Sequence, residues 1–284
     1  MRVGSWDVKI VSAGRFRLDG GAMFGTVPKV VWSRLMPADA QNRIEMACNC
    51  LLLRGEVEGR QRVVLVDSGN GDTMDDTFRA RMDVREDGVL ARELTAAGVA
   101  PEAVTDVVLT HLHFDHVGGC VRLDCEGRPV PTFPQARHFV QAQELEDARH
   151  PHLRARGSYL SHTWKPLGEA GLFVGLEGAA EPYPGLCIRP FPGHNRGNQG
   201  VALEGDGRKL VAPGDLFPTH YHLQPAWVMA YDLDVTACVE QRLRLLDEIT
   251  DTGAVMVFGH DPDMAAGTVH RDARGKYAAA AVAL

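Results

Sequence analysis

The sequence predicts a single α+β domain over residues 1–284, with a β-rich first part followed by mixed strands and helices. Short β-branched stretches with alternating apolar residues predict the strands, and later stretches with helical spacing predict the helices. Hydrophobic residues make up 45% of the chain without forming an apolar run of about 18 residues. A large core is therefore expected, and a membrane span is not.

Four strands are predicted in the first part, over residues 8–12, 15–18, 44–53 and 62–67. Between the second and third of these strands lies a long connection, residues 20–42, which carries Met23, Phe24, Trp32 and Met36. A connection this long and apolar within a compact domain either has a function or packs into the core. We expect a flap over the site or a subunit contact within a homodimer, with core packing as the alternative.

Later in the chain, helices are predicted over residues 89–97, 141–149 and 235–249. Strands are predicted between them and after them, over residues 104–110, 137–140, 187–189, 200–203, 209–211 and 254–258. The last helix follows a capping Asp234 and is predicted from apolar residues at helical spacing: Val239, Leu243, Leu246 and Ile249. This order lacks the regular strand and helix alternation of a doubly wound sheet.

Charge and cysteine content exclude several classes of protein. The net charge of −7 and the absence of a basic run argue against a nucleic-acid partner. The first residues lack the apolar stretch of a secretory signal, so a cytoplasmic location is expected. The six cysteines show neither a C-x-x-C pair nor the density of a disulfide scaffold. We expect them to be reduced, with Cys48 and Cys50 on one buried face of a strand.

The stretch VTDVVLTHLHFDHVGG, residues 104–119, carries the strongest functional signal. An apolar strand ends at Thr110 and is followed within six residues by His111, His113, Asp115 and His116. Imidazoles and carboxylates are the ligands that Zn, Mn and Fe accept, and a short irregular segment can direct them at two adjacent cations. The cluster therefore predicts a metal site.

Further candidate ligands follow other apolar strands. His194 lies in CIRPFPGH, Asp215 in KLVAPGD and His260 in AVMVFGH, each directly after a glycine. Loops after strands can gather at one sheet edge, so a shared site is expected. Asp67 follows a strand in the same way. Its expected role is to accept the remote N–H of a ligating histidine, and the alternative is a cap on the turn over residues 68–71.

These residues resemble the metallo-β-lactamase superfamily, whose H-x-H-x-D-H signature is matched by HLHFDH and followed in order by the later His, Asp and His. The resemblance covers about residues 44–263 and implies an αβ/βα sandwich of two facing, mostly antiparallel sheets flanked by helices. It also implies two divalent metal ions, Zn foremost and Mn or Fe as alternatives. The implied ligands are His111, His113 and His194 for one ion, Asp115, His116 and His260 for the other, and Asp215 bridging both.

The resemblance further implies a hydroxide shared by the two ions that attacks an ester-like carbonyl or phosphoryl centre, with Asp115 passing a proton to the leaving group. An Asp at the bridging position is similar to lactonases, glyoxalase II and phosphotriesterases of this fold. The segment RLDGGAMFGTVPK resembles members grouped with N-acyl homoserine lactonases and methyl parathion hydrolase. The leading hypothesis is therefore a dinuclear lactone or ester hydrolase acting on a small molecule.

One departure concerns substrate binding. Many homoserine lactonases have a Tyr shortly after the bridging Asp, whereas Asp215 is followed here by Leu-Phe-Pro. His220, Tyr221 and His222 are the candidate donors to a developing oxyanion, and the alternative is that they face water. Nearby apolar residues favour a pocket for an acyl or aryl group: Phe217, Trp227 and Met229, together with residues 20–42.

Three other activities share parts of this pattern. GDLF after the bridging position resembles glyoxalase II, a thioester hydrolase, and phosphotriester hydrolysis uses the same kind of centre. A mononuclear iron oxidoreductase of the persulfide dioxygenase type has the histidine-rich motif with fewer ligands. A metal-bearing sensor or binding protein is the non-catalytic alternative. Metal stoichiometry and a comparison of substrates distinguish these hypotheses.

Overall fold

Two seven-stranded β-sheets face each other in the computed structural model, which describes residues 1–284. The first has the strand order β1-β2-β3-β4-β5-β8-β9, with bounds Arg2–Val3, Trp6–Asp19, Arg43–Val57, Arg60–Val66, Asp106–Val108, Arg137–Gln141 and Phe173–Leu176. The second runs from β10 to β16 in chain order, with bounds Ala180–Tyr183, Leu186–Pro190, Gln199–Gly205, Arg208–Ala212, Val255–Val257, Ala266–Arg271 and Tyr277–Ala281. A separate ribbon pairs β6 (Val121–Leu123) with β7 (Pro129–Pro131).

Both sheets are mixed. In the first, β1 to β4 are antiparallel neighbours, and β4, β5, β8 and β9 are parallel neighbours. In the second, every neighbouring pair is antiparallel except β13 and β14, which are parallel. Parallel neighbours end at the same sheet edge, and the loops at that edge form the site described below.

Eight α-helices accompany the sheets. Their bounds are Gly20–Phe24 (α1), Lys29–Trp32 (α2), Asp76–Met82 (α3), Val89–Ala96 (α4), Phe114–Val117 (α5), Ala142–Arg149 (α6), Ser161–Glu169 (α7) and Val235–Thr252 (α8). None combines the length and apolar character needed to cross a bilayer.

Three apolar clusters define the layers. One lies between the sheets and contains Leu51 and Leu53 of β3 together with Ile188 of β11. A second cluster covers the outer face of the first sheet and includes Cys48 and Cys50, also of β3. A third cluster lies between the second sheet and α8. Alternate residues of β3 therefore enter different layers because successive side chains point to opposite faces. The αβ/βα sandwich and the buried positions of Cys48 and Cys50 expected from the sequence are confirmed.

The second strand, β2, differs from the prediction in its bounds. The stretches 8–12 and 15–18, predicted as separate strands, belong to one long strand, β2. Its pairing with β3 is irregular between Ser12 and Arg15, where Gly14 has a φ of 106°. A bulge of this kind bends a strand without ending it, which explains why the sequence pattern looked interrupted.

The buried face of α8 also differs from the prediction. Asp234 caps the helix through the Ala237 amide, as expected, but Leu243 is 44% exposed. The predicted Leu246 and Ile249 are buried, and the other buried side chains are Cys238, Arg242 and Leu245. Arg242 is fully buried because its guanidinium donates to the Leu216 and Trp227 carbonyl oxygens at 2.7 Å each. The buried face of α8 therefore includes a charged residue, held by two backbone acceptors, that the apolar spacing did not predict.

Residues 20–42 fold into α1, α2 and short connections. Met23, Phe24, Trp32 and Met36 are buried in the outer core of the first sheet, and the Phe24 ring stacks on that of Trp32 at 5.7 Å. Core packing therefore accounts for these four side chains, and a flap or a subunit contact stays a prediction for the rest of the segment. The exposed apolar residues of the segment are Val30, Val31 and Leu35.

Candidate active site

The loops that follow five strands meet at one edge of the sandwich. β4 and β5 end together in the first sheet and precede Asp67 and the histidine motif. β13 and β14 end together in the second sheet, and β11 runs in the same direction as β13 because both are antiparallel to β12. These three strands precede His194, Asp215 and His260. The topology therefore brings distant parts of the chain to one place.

Hydrogen bonds from side-chain amides to backbone carbonyl oxygens join the two sheets at this edge. Asn49 of β3 donates to the Phe258 and Asp261 carbonyl oxygens at 2.9 and 2.8 Å. Gln199 of β12 donates to the Leu109 and Phe139 carbonyl oxygens at 2.8 and 3.1 Å. Both amides are held by backbone acceptors of the opposite sheet, so the loops from the two sheets keep a defined separation.

The glycines that end the motif allow close backbone packing. A Cβ on Gly118 would lie 2.0 Å from the Asn70 carbonyl oxygen, and one on Gly119 would lie 2.3 Å from that of Ser68. No larger residue fits without displacing the turn after Asp67. The Gly-Gly pair therefore sets the motif directly on the loop that carries Asp67.

The structure brings the seven candidate ligands together in three overlapping groups, within each of which the ligand atoms lie within 4.8 Å of one another. The groups are His111, His113 and His194; His111, His116 and Asp215; and Asp115, His116 and His260. The first and third are the two sets implied by the family resemblance. The second places Asp215 between them.

Asp215 turns one carboxylate oxygen toward each side of the site. Its Oδ1 lies 3.2 Å from His260 Nε2 and 3.4 Å from His116 Nε2. Its Oδ2 lies 3.6 Å from His194 Nε2, and that nitrogen is 3.1 Å from His113 Nδ1. Two nitrogens on one tetrahedral zinc are separated by about 3.3 Å. The spacing of the donors therefore suits two adjacent cations.

Unsatisfied polar atoms at the centre also fit metal ions. His111 Nε2 and Asp215 Oδ1 are buried without a hydrogen-bond partner. Such atoms are costly unless something binds them. The donors are imidazole nitrogens and carboxylate oxygens, the set that Zn, Mn and Fe accept. The residues present therefore fit divalent metal ions.

Partners behind the histidines orient their rings. The Nδ1 atoms of four of them are each engaged: His111 with Thr110 Oγ1 at 3.0 Å, His116 with Asp67 Oδ2 at 2.9 Å, His194 with Asp232 Oδ1 at 2.9 Å, and His260 with the Ala47 carbonyl oxygen at 2.8 Å. Engaging Nδ1 leaves Nε2 directed at the centre. Asp67 also accepts from the Thr110 amide and hydroxyl, so it holds the loop as well as the ring.

Burial and neighbouring charges shift the pKa values in opposite directions. Burial holds the pKa of His111 and His113 well below its usual range, which favours neutral rings with a free lone pair. For His116, burial also lowers the pKa, but Asp215, Asp67 and Asp115 outweigh it and raise the value. The carboxylates therefore make the centre favourable for positive charge.

The sequence pattern of the metallo-beta-lactamase superfamily matches residues 43–260. The chain belongs to this superfamily. A probable metallo-hydrolase of Mycobacterium tuberculosis is 29% identical over 254 residues, which cover 78% of this chain and 76% of the relative. An N-acyl homoserine lactonase of Azorhizobium caulinodans is 32% identical over 190 residues, which cover 63% of this chain and 66% of the relative.

Among solved structures, a probable metal-dependent hydrolase from Staphylococcus aureus matches with a TM-score of 0.87 and 27% identity, covering 100% of each chain. The resemblance to the superfamily and to its lactonase-like branch is confirmed. The protein is a metal-dependent hydrolase of the metallo-beta-lactamase superfamily.

In this superfamily member a cavity of about 300 Å³ opens over the candidate ligands. The candidate ligands that line it are His113, Asp115, His194, Asp215 and His260. Its apolar lining consists of Leu18, Met23, Met82, Phe114 and Met229, and its further polar lining includes Arg81, Arg154, Ser158 and Tyr231. Met23 and Met229 were among the residues expected to favour an apolar pocket.

The predicted oxyanion donors do not line this cavity. His222 is fully buried, with Nδ1 2.7 Å from Thr219 Oγ1 and Nε2 2.9 Å from the Met23 carbonyl oxygen. Both ring nitrogens are engaged, so this imidazole is not free to contact a substrate. His220 is paired with Asp261, and Tyr221 packs against the outer core. Phe217 and Trp227 also lie outside the cavity lining.

Tyr231 is the phenol that reaches the cavity, and the sequence reasoning missed it. Burial, with Asp19 and Asp115 nearby, raises the pKa of Tyr231 to about 12. The loop is held there because the Ala230 amide donates to the Ala22 carbonyl oxygen at 2.8 Å and the Leu233 amide donates to that of His194 at 3.0 Å. The sequence spacing between Asp215 and Tyr231 does not indicate that the chain comes back to the cavity. Only the folded loop places Tyr231 at the site.

Proposed function

We propose that this protein uses two divalent metal ions to hydrolyse a lactone or ester bond of a small molecule with an apolar acyl or aryl part. The position of Asp215 carries the proposal, because its two oxygens face different groups of histidines. One carboxylate placed in this way suits two ions better than one. Lactonase relatives support the type of bond.

In this proposal His111, His113 and His194 would hold one ion, Asp115, His116 and His260 would hold the other, and Asp215 would serve as a ligand of both. Asp67 and Asp232 orient His116 and His194. Zinc is the first expectation, since three imidazoles with an open position are typical of catalytic zinc. When bound, the ions supply a water of lowered pKa and polarise the substrate's carbonyl oxygen.

The remaining steps fall to side chains of the cavity. The Tyr231 phenol lines the cavity and is protonated near neutral pH, as phenols are, so it donates a hydrogen bond to the carbonyl oxygen as negative charge develops there. The oxygen of water forms a bond to the carbonyl carbon, and the bond from that carbon to the leaving oxygen breaks. Asp115, which lines the cavity, takes one proton from this water and delivers it to the leaving alkoxide, and the second proton of the water passes to solvent, so the products are a carboxylate and an alcohol.

The test combines metal content with substrate comparison. We expect about two metal ions per chain by elemental analysis and turnover of a lactone or aryl ester above that of thioester and phosphotriester substrates. Asp215→Ala should lower metal content and turnover together by orders of magnitude, whereas the exposed control Asp251→Ala should change neither.

Other results would select another activity. Turnover of the thioester alone would indicate a glyoxalase II-like hydrolase, and turnover of the phosphotriester alone a phosphotriesterase. One iron per chain, with activity that survives replacement of Asp115, His116 and His260, would indicate a mononuclear oxidoreductase. Full metal occupancy and turnover in Asp215→Ala would contradict the bridging role.

A further inference from the structure

Two arginines line the cavity without an acidic partner. Arg81 lies near the end of α3, and Arg154 lies in the connection between α6 and α7. Neither forms an ion pair, although arginines beside them do: Arg79 pairs with Asp87 at 2.6 Å, Arg85 with Asp83 at 2.8 Å, and Arg196 with Asp147. The guanidinium groups at the cavity therefore keep a positive charge that no protein carboxylate compensates.

Neutral groups hold both side chains in place. Arg154 donates from Nη2 to the Ala230 carbonyl oxygen, next to Tyr231. The Arg81 guanidinium lies 5.1 Å from the centre of the Phe78 ring, and that ring is 4.9 Å from the Phe114 ring, which lines the cavity. A guanidinium has five N–H donors, so most of them are left for a ligand.

The candidate metal centre does not need these arginines. Asp115 and Asp215 are the carboxylates that line the cavity, and two divalent cations more than offset their charge. A neutral ester gains no ion pair from the arginines. A carboxylate does, because the planar guanidinium matches its geometry and binds it through two N–H donors.

Arg154 is exposed and belongs to the lining of both the cavity and a neighbouring groove. The further charged residues and histidines of this groove are His150, His152, Arg196, Asp147, which pairs with Arg196, and Asp234. A group bound by Arg154 therefore lies at the boundary of cavity and groove. The apolar side chains Met23, Met82 and Met229 line the cavity as well and suit the body of the same molecule.

We propose that the substrate carries a carboxylate remote from the bond that is hydrolysed, and that Arg81 and Arg154 bind this carboxylate at the cavity mouth. The inference rests on the proposed hydrolase function and narrows its substrate class to anionic esters or lactones. The arginines act in binding, so their contribution is expected in KM more than in kcat.

Matched substrates test the proposal on the metal-loaded protein. One pair is 4-acetoxybenzoate and 4-acetoxybenzamide, and the other is N-succinyl homoserine lactone and its terminal amide. We expect kcat/KM to be higher for the carboxylate of each pair by about tenfold or more, the scale of a charge-assisted contact. The preference should shrink in 0.5 M salt, since these contacts are partly exposed.

Variants assign the preference to the two side chains. Arg81→Gln and Arg154→Gln should each reduce it by about fivefold to tenfold, chiefly through KM of the carboxylate substrate. Arg156→Gln is the matched control, because Arg156 is exposed two residues away and does not line the cavity. Equal kcat/KM within each pair, or a preference unchanged in both variants, would overturn the proposal.

A binding measurement separates this proposal from the proposed reaction. If no ester or lactone is hydrolysed, the proposed hydrolase function is wrong. The carboxylate site is then tested by measuring the affinities of 4-hydroxybenzoate and 4-hydroxybenzamide with calorimetry. Weaker binding of the carboxylate alone in Arg81→Gln and Arg154→Gln supports the site. Unchanged affinity in both variants excludes it, since a carboxylate bound only to the metals would not depend on the arginines.

Discussion

Asp232 Oδ1 lies 2.9 Å from His194 Nδ1, and both side chains are buried. The other oxygen of Asp232 accepts from the Met229 amide, also at 2.9 Å. One carboxylate therefore fixes both the ring of a candidate metal ligand and the loop that carries Met229 and Tyr231 into the cavity. Metal binding and the shape of the cavity are linked through this residue.

Replacing Asp232 should weaken metal binding without removing a ligand. Asp232→Asn leaves His194 without its anionic partner, and we expect metal affinity to fall by about 10-fold to 100-fold. Competition with a chelator measures the affinity. Asp234→Asn is the control, since Asp234 is exposed and caps α8. Equal affinity in the wild type and Asp232→Asn would exclude the orienting role.

Removing the Tyr231 hydroxyl should slow the chemical step. Tyr231→Phe keeps the ring in the cavity wall but loses the donor, so kcat should fall by about 100-fold with a small change in KM. Tyr221→Phe provides the matched control because Tyr221 does not line the cavity. If both variants kept the wild-type kcat, another group would have to stabilise the oxyanion.

Glu144 should be replaceable by glutamine but not by alanine. Its Oε1 accepts from the Leu112 amide at 2.8 Å, the Tyr159 hydroxyl at 2.9 Å and the Asn195 amide at 3.3 Å, and burial raises its pKa to about 7. Glu144→Ala leaves these donors unpaired, which should cost about 3 kcal/mol or more of unfolding free energy and lower metal content.

Glu144→Gln keeps the acceptor, so chemical denaturation should place it close to the wild type, with nearly full metal content. This variant separates the effect of the Glu144 hydrogen bonds on stability from the effect of its negative charge, because the amide cannot ionise. Losses in Glu144→Gln as large as those in Glu144→Ala would show that the negative charge matters.

His138 should make the protein less stable in acid. The ring is fully buried with Nδ1 3.0 Å from the Ala136 carbonyl oxygen, and burial lowers its pKa from 6.5 to about 4. As the pH falls below 6.5, His138 becomes protonated in the unfolded chain. In the folded chain it stays neutral until the pH reaches about 4. The free energy of unfolding therefore carries no penalty from His138 above pH 6.5. It decreases as the pH falls from 6.5 to 4, by up to about 3 kcal/mol.

Denaturation of metal-free protein at pH 7, 5.5 and 4.5 measures this dependence. His138→Leu cannot take up a proton at this position and should make the curve less steep over that range, with the buried His111 and His113 still contributing, whereas the exposed control His150→Leu should follow the wild type. A wild-type slope retained in His138→Leu would assign the acid sensitivity to other groups.

The sequence predicted the parts of this protein that depend on local pattern. Short apolar strands ending in His, Asp and Gly are recognisable because a strand alternates and a ligand must leave it at a defined point. The order of the motif residues then indicated the superfamily. By contrast, the pattern of Val239 and Leu243 misplaced the buried face of α8, since backbone carbonyl oxygens at Leu216 and Trp227 accept from Arg242.

The orienting and substrate-facing residues depended on tertiary structure. Asp232 and Tyr231 follow no strand and have no fixed spacing from Asp215, and their loop is placed by bonds to Ala22, Gly193 and His194. His222, a reasonable donor by its position in the chain, lies with both nitrogens engaged behind Phe24.

By itself the sequence determined the strand-borne donors, their chemistry and hence the metal-dependent class. The tertiary structure alone decided which side chains enclose the cavity, that Arg81 and Arg154 border it, and which histidines are sequestered. The physical reason is that a ligand motif is encoded over a few consecutive residues. A cavity wall, in contrast, is made of loops whose positions depend on long-range hydrogen bonds and packing.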